Sequence, residues 1–423
     1  MTNTETGGAL AGFRVIDLTR VLGGPFCTQL LSDHGAEVIK IEPPQGDEVR
    51  DWGPPFKDGL SAYFAGVNRN KRSIGLDMRT KQGQEILFQL LDGADVMIDN
   101  FKAGSLEKWG IGYEEVLSKR FPSLIYCSIT GFGADGPFGG FPGYDAVAQA
   151  LSGQISVNGS PETGPTRIGI PIIDLATGLY ASIGILLAAE ERRRSGMGQR
   201  VDTSLFDTGV ALLHPHAANY FMSGKAPVLT GNSHPNISPY SQYQTKQGLL
   251  FLAIGNDRQF RLLGEILGHP EWANDERFLH NAERVEHRDE LNAAIGEALR
   301  DRVAEDISSA LLAKGAPAGA VLTIPEVAEH PHTKHREMVV ELDGYRGTGI
   351  PIKMGRTPGS VRSTPPHYGS ATRDVLADLG YDRGQVDELI ADRVAPHETA
   401  KPPARVPAPS SLPSFILLSS LFP

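Results

Sequence analysis

Short apolar runs and helical repeats alternate along the first 130 residues. Phe13-Arg14-Val15-Ile16-Asp17-Leu18 reads as a buried strand, and Gly23-Gly24-Pro25 opens a helix running through Leu31. Residues 37–42 form a second strand. Residues 81–91 form a helix with Ile86, Leu87 and Leu90 on one face, and 96–98 and 124–129 are further strands. Strands separated by helices at this spacing imply βαβ units and a mostly parallel sheet.

Residues 131–173 are rich in Gly and Pro, which marks a long loop region near the carboxyl ends of the strands. Ile170-Pro171-Ile172-Ile173 leads into a strong helix over 175–194. Its small Gly178, Ala181, Ser182 and Gly184 let another backbone approach. Arg192-Arg193-Arg194 followed by Ser195-Gly196 places cations at the negative end of that helix and closes it. A second domain starts near Val228, with a strand over 249–254 and helices over 259–267, 290–299 and 304–313. From about Gly347 strand and loop return, ending in helices over 370–379 and 384–391. The expected division is a large domain with its first part at 11–200, a linker at 201–227, a small domain at 228–335, and a return to the large domain over 336–395. Residues 396–423 hold seven prolines in 28 positions. That density opposes both helix and sheet, so the tail reads as disordered.

Composition narrows the function classes. The chain has 423 residues, with 40 Lys and Arg against 50 Asp and Glu, a formal charge of −10. This acidic balance argues against a nucleic-acid binder, which would carry a basic face. Residues 1–10 contain no apolar leader, and no uninterrupted apolar run reaches the ~18 residues that span a bilayer. The expectation is a cytoplasmic enzyme-sized protein without a membrane segment. Cys27 and Cys127 sit in apolar surroundings and read as buried free thiols, too few for a disulfide framework or a zinc site.

Several stretches invite chemistry. Asp17-Leu18 ends a strand before a glycine turn, and Glu42 ends the next strand, as in dinucleotide-binding folds. The turn, however, reads Arg20-Val21-Leu22-Gly23-Gly24-Pro25 and lacks G-x-G-x-x-G, which removes the reason to expect NAD or FAD. A helix start behind two glycines still suits other phosphates or a thiolate. His330, His332 and His335 lie close in sequence, but Lys334 and Arg336 beside them oppose a cation, so no metal is expected. His214 and His216 read as structural. Asp174 is the sole carboxylate between Glu162 and Glu190 and stands at a helix start. Its ordinary role there is an N-cap. The same position also suits a carboxylate nucleophile, ionised by the helix end and reachable from a loop.

One set of motifs goes further: Phe13 to Thr19 with Gly24-Pro25, Gly35-Ala36-Glu37-Val38-Ile39-Lys40-Ile41-Glu42, Asn70-Lys71-Arg72-Ser73 with Leu76-Asp77, Ala94-Asp95-Val96 with Asn100-Phe101, Gly143-Tyr144-Asp145, and Asp174-Leu175-Ala176-Thr177-Gly178. In number, order and spacing these resemble the class III coenzyme A transferases, over about residues 11–395. The resemblance implies an α/β fold, with a Rossmann-like large domain built on a parallel sheet, a small α+β domain, and two chains interlocked as rings in a homodimer. It implies Asp174 as the nucleophile, carrying CoA as an aspartyl thioester between mixed anhydrides. An acyl-CoA and a carboxylic acid are the substrates, with no permanently bound cofactor and no metal. CoA would lie along Leu22 and Gly23, with adenine near Leu76, Arg79, Asn100, Phe101 and Lys102. Lys108 and Arg79 would meet phosphates, and Tyr144 and Asp145 would border the reacting centre. The rival of the same fold, an α-methylacyl-CoA racemase, uses His in place of Tyr144, because a proton must leave one face and return to the other. A phenol carries protons poorly at neutral pH compared with an imidazole, which favours transfer. The segments 231–237 and 255–260 are similar to those of transferases that use succinyl-CoA and dicarboxylic acids, where His234 or Arg258 would meet a second carboxylate.

Overall fold

Six short strands, the inner ones buried between helices, form one parallel sheet in the computed structural model, which describes residues 7–397. They are β1 (Arg14–Asp17), β2 (Glu37–Glu42), β3 (Lys71–Gly75), β4 (Val96–Asp99), β5 (Ile125–Thr130) and β6 (Arg200–Ser204). Their order is 3-2-1-4-5-6 with every pairing parallel, the doubly wound order of Rossmann folds. Val15 lies opposite Val38 on one side and Val96 on the other, so the centre of the sheet is a Val/Ile layer.

Two strands are absent from the hydrophobic pattern. In β3, Lys71 and Ser73 are buried because each has a polar partner: Lys71 pairs with Asp17 and Ser73 donates to Glu42. The other, β6, is the polar sheet edge. The stretch 201–227, expected as a linker, therefore holds most of a main-sheet strand, followed by helices Leu205–Ala211 and His216–Ser223.

The helices that bear on function are α1 (Gly23–Asp33), α2 (Lys81–Leu91), α3 (Asp145–Leu151) and α4 (Ile172–Ser195). One face of the sheet buries Val15, Val96, Ile125 and Cys127 against Cys27 and Leu31 of α1 and Ala181, Ile185 and Ala188 of α4. Close approach of α1 and α4 depends on Gly178, where a Cβ would stand 2.5 Å from the Gly23 carbonyl oxygen. The opposite face packs Ile16, Ile39 and Ile74 on α2 and on the C-terminal helices Thr372–Asp378 and Arg383–Ala391, through Val375, Leu376, Val386 and Leu389. The chain thus finishes the core that it began.

Between these parts lies a unit with its own core. Strands Tyr240–Gln244, Leu249–Ala253 and Ala318–Ala320 form an antiparallel sheet. Leu250, Phe260, Leu263, Leu291, Ile295 and Leu311 fill the space between that sheet and its helices. By length and composition α4 is apolar enough to cross a membrane, but half of that apolar stretch is buried inside the protein. Its other face leaves Leu179, Ile183, Leu186 and Leu187 exposed. Apart from its first two residues, the Pro-rich stretch 396–423 lies outside the described residues.

Candidate active site

The strand order reverses between β1 and β4, and at such points open α/β sheets bind ligands beyond the carboxyl ends of their strands. A cavity of about 250 Å³ occupies that crevice. Its walls come from the turn after β1 (residues 20–24), the loop after β4 (100–103), the loop after β5, and Tyr144 and Asp174.

The turn after β1 has an unusual shape with a visible cause. Val21 is left-handed, φ +69°, a strained conformation for a β-branched residue. Buried charges beneath the turn hold it. The Val21 N–H donates to Asp47 Oδ1, and Lys40 Nζ bridges the Thr19 carbonyl (2.7 Å) and Asp47 Oδ2 (3.0 Å). Alongside, Asp17 accepts from Thr19, Thr28 and Lys71. Burial brings the Lys71 ammonium down to about 8, with Asp17 opposing the fall. Beyond the turn α1 begins at Gly23, and the N–H groups of Gly23 and Gly24 have no intrahelical acceptor, while Pro25 contributes none. Gly23 is small of necessity: a Cβ there would lie 3.1 Å from the Asp174 carbonyl oxygen and 3.7 Å from Asp174 Oδ1.

Asp174 is not the cap of its helix. Pro171 holds the cap position and Asp174 sits within the first turn of α4. The capping is done by Asp145, twenty-nine residues earlier, whose Oδ2 accepts from the N–H groups of Ile173 (2.9 Å) and Asp174 (3.1 Å). Gln149 fixes Asp145 in turn by donating to its Oδ1. Asp174 is also not a permanently ionised carboxylate. Burial, and secondly the charge of Asp145, push it up from 3.8 to about 7. The result is a carboxylate unusually basic for its type, half-buried in the cavity wall.

The cavity brings together Leu22, Gly23, Asn100, Phe101, Lys102, Tyr144 and Asp174 from the residues expected at the site. Asp145 lies behind Asp174 as its helix cap rather than in the wall. Three others are elsewhere. Leu76 is 1% exposed in the core. Arg79 points to solvent and pairs with Asp77 at 2.8 Å. Lys108 ends the short helix Ser105–Lys108 and does not line the cavity.

His234 and Arg258 are likewise outside the cavity wall; His234 Nδ1 accepts from the Asn236 N–H, and Arg258 reaches the Lys314 carbonyl. His332 and His335 are exposed on the short helix Pro331–His335, and among the described residues no group of three or more His, Cys, Asp or Glu could hold a metal. Cys27 and Cys127 are buried thiols, Cys27 pushed up to about 12 by burial.

Sequence reasoning passed over three residues. Arg20 and Glu48 line the cavity. The Tyr63 phenol, edge-on to Trp52, is raised to about 12 by burial and by the charges of Asp174 and Asp145, which places it in the field of both carboxylates. Only Arg20 carried a signal, since it adjoins the glycine turn.

Comparison with known proteins identifies the family. A family model described as CoA-transferase family III matches residues 10–372. The chain is 42% identical to the succinate–glutarate CoA-transferase of Agrobacterium fabrum, covering 88% of this chain and 95% of that one. It is 38% identical to the succinyl-CoA:glutarate CoA-transferase of Mus musculus, covering 92% and 91%. Among solved structures, a CAIB/BAIF family protein from Brucella suis matches with a TM-score of 0.80 and 41% identity, over 88% of this chain and all of that one.

Proposed function

This chain belongs to CoA-transferase family III, and we propose that it moves CoA from succinyl-CoA to a dicarboxylic acid, with Asp174 as the covalent carrier. The single observation carrying this reading is Asp174 itself, raised to about 7 and opening into the cavity at the end of the glycine turn. The names of the relatives supply the substrates: succinyl-CoA and glutarate.

In the proposed cycle an oxygen of Asp174 attacks the thioester carbonyl of the donor. The carbon–sulfur bond breaks, leaving a mixed anhydride and the CoA thiolate. The thiolate attacks the aspartyl carbonyl, the donor acid leaves as its carboxylate, and CoA rests on Asp174 as a thioester. The acceptor carboxylate then attacks that carbonyl and releases the thiolate again. Attack of the thiolate on the acceptor's acyl carbon frees acyl-CoA and restores Asp174. Water is not a reactant in any of these steps, and the bound substrates must keep it from both anhydrides. Gly23, at the start of α1, is close to Asp174, so its N–H group is the candidate to stabilise the developing negative charge.

A homodimer belongs to the same proposal. Leu179, Ile183, Leu186 and Leu187 on α4 are 44–67% exposed, and Phe221 and Met222 are 79% and 91% exposed. Apolar surface on that scale is suited to a second copy. The test of the catalytic reading is mass spectrometry of the protein quenched after succinyl-CoA, then treated with hydroxylamine. The modification is expected on Asp174 and absent from Asp174→Ala. Wild-type transfer rates in that variant would refute the assignment.

A further inference from the structure

Two cations line the cavity, Arg20 and Lys102, and among the described residues neither forms an ion pair; Arg20 is the one held in a fixed place. The backbone of Arg20 is clamped: its N–H donates to Asn100 Oδ1 (2.9 Å), and Asn100 Nδ2 donates to its carbonyl (2.6 Å). Its guanidinium lies over the Phe101 ring, 5.6 Å from the centroid, while Nε is buried without a hydrogen-bond partner. Among the described residues no carboxylate pairs with it. Three other arginines of the same domain with little exposure differ: Arg50 is held by Glu42, Arg69 by Asp33 and Arg192 by Asp95. A buried donor on a cation costs free energy until an acceptor arrives, so Arg20 is arranged for a ligand. Three peptide links separate it from Gly23, beside Asp174. The two Cα atoms of Arg20 and Gly23 are therefore no more than about 11 Å apart.

We propose that Arg20 is an anion-binding residue of this cavity. It would grip the carboxylate that a dicarboxylic substrate keeps free while its other end reacts at Asp174. The planar fork of a guanidinium suits a carboxylate, through two parallel hydrogen bonds. This inference deepens the proposed function and rests on it. The phosphates of CoA offer the same chemistry, so the test separates the two sources.

The variants are Arg20→Gln and the charge-keeping Arg20→Lys. KM is measured for glutarate and for pentanoate as acceptors, and Kd for free CoA by calorimetry. A tenfold or greater rise in the glutarate KM with pentanoate unchanged identifies the free carboxylate. A tenfold weakening of CoA binding with acceptor preference unchanged identifies the phosphate instead and keeps the anion role. If Arg20→Gln does not fold, Arg20→Lys should still raise the affected constant several-fold, because an ammonium cannot form the fork. All constants within twofold of wild type in a folded variant would overturn the proposal. The CoA adduct on wild-type Asp174 is scored separately. Its absence would remove the catalytic reading, while calorimetry of glutarate and CoA would still report on Arg20.

Discussion

Replacing Asp145 by Asn leaves an oxygen to accept the N–H groups of Ile173 and Asp174 and removes one negative charge beside the nucleophile. Roughly 3 pH units separate the ordinary value of Asp174, 3.8, from about 7. Burial is the larger cause and the Asp145 charge the smaller. The charge therefore accounts for less than half, under about 1.5 pH units or ~2 kcal/mol. In Asp145→Asn the titration of Asp174 should move down by up to that amount and stay above 3.8. At pH 6 about a tenth of wild-type Asp174 is ionised, and the variant would reach up to about three quarters. The assay is the single-turnover rate of CoA adduct formation from pH 5 to 9. The wild-type rate should fall tenfold per pH unit below its midpoint near 7, and the variant should hold its rate to lower pH. Stability follows the same linkage. Folded Asp174 holds its proton more tightly than the unfolded chain, so its contribution is full below 3.8 and is lost as pH rises through about 7. Asp145→Asn should reduce that loss. An unmoved or raised midpoint, with the unfolding temperature unchanged, would refute the reasoning.

Four further outcomes are expected. Gly178→Ala should destabilise the protein by about 1–3 kcal/mol in denaturant unfolding, because the new methyl meets the Gly23 carbonyl at 2.5 Å and forces α1 and α4 apart. Leu187→Lys on the exposed face of α4 should shift the protein towards monomer in sedimentation, leaving its circular dichroism unchanged, since the side chain is 67% exposed. Tyr144, at the cavity wall and 53% exposed, should contribute no more than the ~0.5–1.5 kcal/mol of one hydrogen bond, read as the loss of transfer rate in Tyr144→Phe; a 2-methylacyl-CoA incubated in deuterated water should remain unlabelled at its α-carbon.

What could be read from the sequence depended on how local its cause was. The helix over 81–91 was legible to the residue, because its apolar stripe and the capping Thr80 lie within one short window. Strand β3 was hidden because its burial depends on Asp17 and Glu42, carried by other strands. The polar edge strand β6 has no alternation to detect. At the site, the isolation of Asp174 at a helix start is visible in the sequence, but the expectation that the helix end keeps it ionised differs from its raised value of about 7. The charge that raises it belongs to Asp145, whose helix-capping role appears only once α3 and α4 meet. Leu76 and Arg79 adjoin strand β3 in sequence, yet one points into the core and the other into solvent.

The C-terminal helices that seal the N-terminal core give this protein a particular problem during synthesis. Ile16, Ile39 and Ile74 lie in one apolar layer with Val375, Leu376, Val386 and Leu389. Domains generally fold from the N-terminus as the ribosome delivers them at roughly 5–20 residues per second. Here the sheet is made early, but one of its faces lacks its cover until about residue 395 has emerged. The inserted unit, with a core drawn from residues 243–320, has no such dependence and can close first. The nascent chain must therefore carry an open apolar sheet for many seconds, which makes the interval before release the time at which it most needs a chaperone.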